Sequence, residues 1–433
     1  MALGATSPAA IPADDSGAAI ASAETVAVHG QFTYVEQETD AFHAPYAGGN
    51  SLSPATGRET IDATLFVGAR LWAGAEGWLN GDLDQGFGLN NTLGVAGFPS
   101  GAAYKVGKDQ PYLRLTRAFA RQNWNLGEAT ETVDSGANQL GGMRSRDRLV
   151  LTVGKFGVPD VFDVNSYAHD PRADFFNWGA IDAATFDYAA DAWGYTFGAA
   201  LEWYHGRWTT RVAFFDLSDI PNSPHLEPGA HEFQLIAELE RRHEIAGRSG
   251  RVLLTAFRSR ARMALLRAAV DYGAAHGTPA DVAPVRQYRS RDGIDLDLEQ
   301  ALSDDLGIFA RAGGAAGNVE AYEFTDVDRS YAAGLSLKGT RWGRAHDTVG
   351  LVAMTNLISA VRREYLAAGG LGILVGDGQL PREGPERIVE AYYQVAAFSF
   401  AQITLDYQRV NNPGYNPQRG PVSIFAVRVH AQF

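Results

Sequence analysis

The chain has no cysteine, which removes disulfides, thiolate metal sites and cysteine nucleophiles together. It has no apolar run of the roughly 18 residues that a transmembrane helix needs. A transmembrane barrel is not excluded by that, because its strands are apolar only at alternate positions. Basic residues are short: 37 Lys and Arg stand against 50 Asp and Glu, a formal charge of −13. A phosphate-neutralising nucleic-acid surface is therefore not expected. Catalytic and metal signatures are missing too. No G-x-S-x-G occurs, and His231-Glu232 and His243-Glu244 never extend to a zinc motif. No repeat of fixed period and no composition shift is visible, so a single domain is expected over 25–433. The first 24 residues lack a basic n-region, and Asp14 and Asp15 interrupt the apolar stretch. Ala21-Ser22-Ala23 resembles a cleavage site. Residues 1–24 are read as a leader or disordered segment and are expected to be dispensable.

What is abundant points to strands. Glycine numbers 48, tyrosine 17, phenylalanine 22 and tryptophan 8, a supply of turn residues and strand formers. In the last stretch, "PVSIFAVRVHAQF" (421–433), Phe425, Val427, Val429, Ala431 and Phe433 share one face, and Ala426, Arg428, His430 and Gln432 share the other. "TIDATLFVGARL" (60–71), "RLVLTVGKF" (148–156) and "WGYTFGAALEWY" (193–204) repeat the period of two, and "RWTTRVAFFDLS" follows the last across a tight turn at His205-Gly206. Further strands are expected at 25–37, 72–80, 110–125, 231–245, 250–260, 291–302, 304–316, 329–339, 346–358, 387–400 and 401–411. The total is about sixteen, within the usual range of transmembrane β-barrels. Segments 82–110, 156–190, 217–230 and 359–386 do not alternate and read as long loops, while 263–277 could form a short helix.

The residues between the apolar positions orient these strands. Ile294, Leu296 and Leu298 alternate with Asp295, Asp297 and Glu299, and Val389, Ala391, Tyr393 and Val395 alternate with Glu390, Tyr392 and Gln394. A slip of one residue would turn the carboxylates to lipid, at a cost of up to roughly 2–4 kcal/mol for a basic group at the midplane and somewhat less for an acidic one. The fold expected is an all-β transmembrane antiparallel barrel of about sixteen strands, with long loops partly folded into the lumen. At period two the acidic triplet reads as a lumen stripe and not a chelate. Asp326 and Asp328 read as turn residues.

Three blocks carry a resemblance: "DLDQGFGLNNTLGVAGFPSGAAYKVGKDQPYLRLTRAFARQ" (82–122), "NSYAHDPRADFFNWGAIDAATFDYAADAWGYTFGAALEW" (165–203) and "DYQRVNNPGYNPQRGPVSIFAVRVHAQF" (406–433). The chain resembles the bacterial carbohydrate-selective porins of the OprB family over most of 25–433, with roughly 231–390 matched by strand pattern alone. The resemblance implies passive diffusion of mono- or small oligosaccharides through an outer-membrane barrel without a cofactor. Outer-membrane lipid and the assembly machinery that reads a terminal aromatic, here Phe433, would be the partners.

A wall that passes neutral polyols needs exchangeable hydrogen bonds and aromatic faces, with binding weak enough for release. Candidate pore-lining residues are Arg114, Arg117, Arg121 and Gln122 with Trp124, then Glu76 and Trp78, Glu202 and Arg211, Asp295, Asp297, Glu390, Tyr392 and Arg428. Even spacing fails between Arg114 and Arg117, so a bulge is needed to turn both inward. The three arginines with loop 82–110 are expected to form a constriction, and Trp124 or Trp78 an apolar platform. Two other readings stand beside this one. A barrel enzyme of lipase or acyltransferase type would show a Ser and a His meeting at one rim, and a soluble sugar-binding β protein would need no detergent.

Overall fold

A computed structural model describes residues 24–103 and 107–433. The expected leader lies outside the described residues, except for Glu24. The strands are β1 (Val26–Thr39), β2 (Gly57–Trp72), β3 (Ala75–Gly86), β4 (Lys108–Asn125), β5 (Thr130–Val133), β6 (Gly142–Ser145), β7 (Arg148–Phe156), β8 (Thr196–His205), β9 (Trp208–Asp216), β10 (Phe233–Ile245), β11 (Arg248–Met263), β12 (Gln287–Ala301), β13 (Leu306–Ala315), β14 (Arg329–Gly339), β15 (Arg344–Leu357), β16 (Glu386–Phe398), β17 (Ala401–Asn411) and β18 (Val422–Gln432). All but β5 and β6 pair antiparallel in one closed barrel of sixteen strands, with β18 returning to β1. The seam closes on reciprocal backbone bonds between Gly30 and Phe433, at 2.8 and 2.9 Å.

Each expected strand has its counterpart, and the differences are local. The β5–β6 hairpin was not foreseen: it is four residues a side and sits inside the connection from β4 to β7. The strand expected from Trp193 begins at Thr196. Gly194, at φ 100, breaks the alternation and assigns Trp193 and Tyr195 to the preceding loop. Among the described residues there are three α-helices, α1 (Trp178–Ile181), α2 (Leu266–His276) and α3 (Ala360–Ala367). The second was anticipated. The third begins at Ser359, whose hydroxyl accepts the Arg362 N–H at 3.0 Å, a cap inside a segment expected to be loop.

The burial pattern separates a membrane barrel from a soluble sandwich. On β12, Ile294, Leu296 and Leu298 are 53, 43 and 37% exposed, while Asp295, Asp297 and Glu299 are 4, 3 and 7% exposed. Apolar outside and charged inside is the reverse of a soluble protein, and it fits hydrocarbon around a polar lumen. One end of the barrel carries turns as short as 206–207 and 246–247, and the other carries the loops 40–56, 87–107, 157–195, 217–232, 264–286, 316–328, 358–385 and 412–421. Long loops mark the extracellular end.

Several inward aromatic rings lie flat on the wall because the residue directly opposite is glycine. Trp78 pairs with Gly68, Phe257 with Gly293, Phe309 with Gly334 and Tyr392 with Gly350. In each pair a Cβ on the glycine would collide with the ring. A β-branched side chain at Gly350 should therefore lift Tyr392 from the wall. Gly350→Val is expected to lower barrel stability by about 1–3 kcal/mol, and Gly350→Val with Tyr392→Ala to recover part of it, read by heat-modifiable gel mobility. Additive losses in the double variant would show that the two side chains do not meet.

Candidate pore constriction

Loop 157–195 enters the barrel and packs against its inner wall. Phe162, Phe175, Phe176, Trp178, Ala180, Ile181, Phe186, Ala189 and Ala190 are all essentially inaccessible. Irregular backbone at this depth needs partners for its N–H and C=O groups, and the inner wall supplies them. Glu238 accepts the Asp163 N–H at 2.9 Å, Glu299 the Ser166 N–H at 2.6 Å, and Glu390 those of Phe176 and Asn177 at 2.5 and 3.1 Å. Carbonyls are met by arginine: Arg428 donates to Pro171 and Asp174 at 2.6 and 3.0 Å, and Arg311 to Ala168 at 3.0 Å and to Ala180.

Most of the residues singled out from the sequence are engaged in this framework. Asp297 binds Arg311 at 2.6 Å and Asn165 at 2.8 Å, and Asp295 accepts from Thr185. Tyr392 meets Phe175 edge-on at 4.9 Å, and Arg428 lies over the Phe176 ring at 4.5 Å. Glu202 and Arg211 pair at 3.3 Å, and Arg211 continues to Glu238 and Glu240 at 2.7 and 2.8 Å. These side chains face inward, but their polar atoms hold loop and wall together. Trp78 is covered against Gly68 and is 2% exposed, so it offers no open platform.

The arginines of β4 have a different task from the one expected. The bulge is present: register shifts between Asn80 and Gly81, leaving Thr116 as the extra residue and turning Arg114 and Arg117 to the same side. Beyond it the parity is reversed, so Gln122 and Trp124 lie on the outer face, where Gln122 accepts from the Trp72 indole at 2.7 Å and Trp124 is 44% exposed. Those two do not line the lumen. Arg121 binds Glu76 at 2.8 Å and the Asn138 carbonyl at 2.8 Å, below the loop near the turn end. Arg114 binds Asp191 at 3.2 Å and sits 3.7 Å over the Trp193 ring. Arg117 grips Asp160 through two bonds at 2.7 and 2.8 Å and lies 4.8 Å over Tyr195. Asp191 in turn accepts the N–H groups of Trp193 and Tyr195 at 3.0 and 3.2 Å, which shapes the turn at Gly194.

These two aromatics border a cleft at the loop end. It is a shallow space of about 670 Å³ with open solvent included, where five loops converge. Phe98 and Trp178 stack at 5.2 Å and 10°, and Tyr188 lies 4.8 Å from Phe324. Trp193 and Tyr195 line the same cleft, with Arg172, Asn222, Glu323 and Thr92 as its polar groups. Aromatic faces beside amide and charged groups suit a polyol with a C–H face. Sequence reasoning missed these residues as a set. A local signal existed in "DAWG" (191–194), an Asp followed by Gly across a turn, but alternation in 193–204 overrode it. Asp326 and Asp328 are not plain turn residues: both are buried, and they clamp Arg362 of α3 at 3.2 and 2.9 Å.

Charged groups on the inserted loop are shifted by burial and by the wall. Burial alone would raise the Asp160 carboxyl, but Arg117 and the Gly157 N–H hold it below the usual carboxylate range. Burial, with Arg311 nearby, pushes His169 from 6.5 down to about 4. Its neighbour Asp182, 3.9 Å away, is raised by burial to about 6 against the pull of Arg311. A Ser and a His do meet at the turn-end rim, His29 Nε2 and Ser135 Oγ at 3.0 Å. Both the bond and Ser135 are exposed to solvent.

The profile of the family described as "Carbohydrate-selective porin, OprB family" matches residues 54–433. No curated protein matches the chain at a significant level. Among solved structures, the chain is similar to Pseudomonas putida OprB at high pH, with TM-score 0.72, 15% identity and 94% of each chain covered. The low-pH structure of that protein aligns with TM-score 0.49 at 12% identity, over 94% of this chain and 93% of that one. The outer membrane channel DcaP of Acinetobacter baumannii aligns with TM-score 0.48 at 10% identity, over 94% and 97%.

Two tests address the seating of the loop. Arg117→Ala leaves Asp160 buried without its guanidinium, a loss on the scale of about 3–5 kcal/mol for a broken buried pair. Protease cleavage within 157–195 should accelerate while the barrel keeps its heat-modifiable mobility. The second test is pH. The seated loop holds His169 neutral with a depressed pKa, so its contribution is complete above 6.5 and is lost as pH falls from 6.5 toward about 4. Asp182 titrates in the opposite sense, so the informative quantity is the difference between the parent and His169→Asn. Amide-exchange protection of the loop should fall more steeply with acid in the parent. Parallel curves would assign the pH response to other groups.

Proposed function

The chain belongs to the carbohydrate-selective porin family OprB and is a channel of the bacterial outer membrane, and from this we propose that sugar is selected at the loop-end cleft between Phe98, Trp178, Tyr188, Phe324, Trp193 and Tyr195. The observation that carries the reading is the convergence of these rings around one cleft, where Trp193 and Phe324 keep partly exposed faces, while most inward wall charges are already paired with the loop or with one another. In this reading Arg114 and Arg117 do not donate to sugar directly. They back the Trp193 and Tyr195 rings and hold, through Asp191 and Asp160, the turn that presents them. Arg172 and Glu323 are the polar contacts that a hydroxyl would meet.

Transport is passive and uses no cofactor. The narrowness of the cleft supports mono- or small oligosaccharides as cargo. Lipid surrounds the apolar outer face, and Phe433, 81% exposed and lying over Gly30, is the handle for barrel assembly. Among the described residues, the enzyme alternative would rest on His29 and Ser135, an exposed pair at a rim with neither an orienting carboxylate nor an oxyanion site shown beside it.

Replacing Trp193 or Phe324, the two partly exposed rings of the cleft, by Ala should weaken sugar occupancy on the scale of one aromatic contact, about 0.5–1.5 kcal/mol or roughly two- to tenfold. Ion conductance should hold or rise because the constriction widens. Liposome swelling with neutral sugars and charged solutes, beside single-channel conductance, reads both. If neither substitution alters the ratio of sugar flux to ion flux, selection lies elsewhere in the lumen.

A further inference from the structure

We infer that the outer wall carries a binding site for a lipid headgroup bearing phosphate, formed by Arg258, Arg260 and Arg262 of β11 with Tyr288 of β12. On β11 the outward positions, taken from the turn end, are Val252, Leu254 and Ala256, followed by Arg258, Arg260 and Arg262, the last three all exposed. Successive side chains on one face of a strand stand about 6.8 Å apart. The column thus passes from apolar to cationic in one step as it nears the loop end. That is the level of the outward-facing headgroups.

The three guanidinium groups are not equivalent. Arg258 is held by both oxygens of Asp292 at 2.7 and 2.9 Å and fixes one edge of the strip. Arg262 lies 5.3 Å from the Tyr288 ring, and its side chain is 66% exposed. Its acidic neighbour Glu232, at 4.0 Å, is already engaged by the Tyr322 hydroxyl. Arg260 stands between them, opposite Ser290 on one strand and Phe233 on the other, and makes no ion pair with any described residue. The strip therefore keeps positive charge in excess, although the chain as a whole is at −13. The excess is local, since the loop end of β1 presents Glu36 and Glu38 outward instead.

A planar guanidinium matches phosphate through two parallel bonds, which makes an arginine pair a good receptor for it. Leu254 and Ala256 on the same column, and Leu235 on β10, would lie beside the acyl chains of the molecule whose headgroup the arginines hold. A soluble anion would have no use for that apolar continuation, so a lipid is the occupant assigned. The site stands on the outer wall and is independent of the sugar cleft.

The test uses the purified full-length barrel in detergent, titrated with phosphatidic acid, phosphatidylcholine or inorganic phosphate, with bound adducts resolved by native mass spectrometry. The parent should prefer phosphatidic acid over phosphatidylcholine by roughly tenfold or more. Arg260→Gln combined with Arg262→Gln should abolish that preference, and Arg260→Lys should reduce it while keeping the charge. Arg241→Gln removes an exposed outward arginine near the turn end of β10 and should leave the preference intact. Sugar conductance of the double variant should match the parent and so report a folded barrel. Retention of the preference in the double variant would overturn the assignment. An equal loss in Arg241→Gln would overturn it as well, by showing diffuse charge and not a site, as would displacement of the lipid by inorganic phosphate at similar concentration.

Discussion

The structure depends on a hydrogen-bonding constraint: an irregular loop lies inside a barrel at membrane depth, and its backbone has no bulk water to turn to. Each orphaned N–H or C=O would cost about 1–3 kcal/mol. Glu238, Glu299 and Glu390 accept the N–H groups, and Arg311 and Arg428 donate to the carbonyls. Asp187 on the loop reverses the direction, binding Arg291 at 2.6 Å and accepting N–H bonds from Tyr322, Glu323 and Phe324 of a second loop at 2.8, 3.1 and 2.8 Å. The inner charges of this wall are thus spent mainly on architecture.

That use of charge explains why the channel can be narrow without being plugged at random. Loop 157–195 is held at many points around the wall, so it keeps one shape, and the cleft it leaves has a defined lining. The same economy appears in the aromatic–glycine pairs. Large rings pressed onto Gly68, Gly293, Gly334 and Gly350 occupy wall volume that would otherwise project into the lumen. A ring placed on the wall in this way is structural, whereas Trp193 and Phe324, carried on loops, keep partly exposed faces at the cleft.

The two faces of the barrel follow separate physical rules. Outside, the requirement is compatibility with hydrocarbon, and the strands answer with exposed Leu, Val and Phe. Toward the loop end this gives way to polar and charged positions, and not evenly around the circumference. Acidic side chains mark β1, and the arginine strip marks β11. Inside, the requirement is that buried charges be paired, and the ladder from Glu202 through Arg211 to Glu238 and Glu240 meets it within the wall itself.

The sequence by itself determined the strands, their number and which face of each is apolar, because the side-chain period of two is a local property that any eight residues display. It also held the bulge in β4, legible as the broken spacing between Arg114 and Arg117. It misplaced Gln122 and Trp124 because a single inserted residue reverses the parity of everything beyond it, and the location of the insertion is fixed by pairing with β3. It could not show that Asp297, Glu390 and Arg428 would be consumed by a loop more than a hundred residues away, nor that Phe98, Trp178, Phe324 and Trp193 would meet. Those decisions belong to tertiary structure, since loops obey no periodicity and their side chains acquire neighbours only when the barrel closes and the wall carboxylates choose which backbone N–H groups to hold.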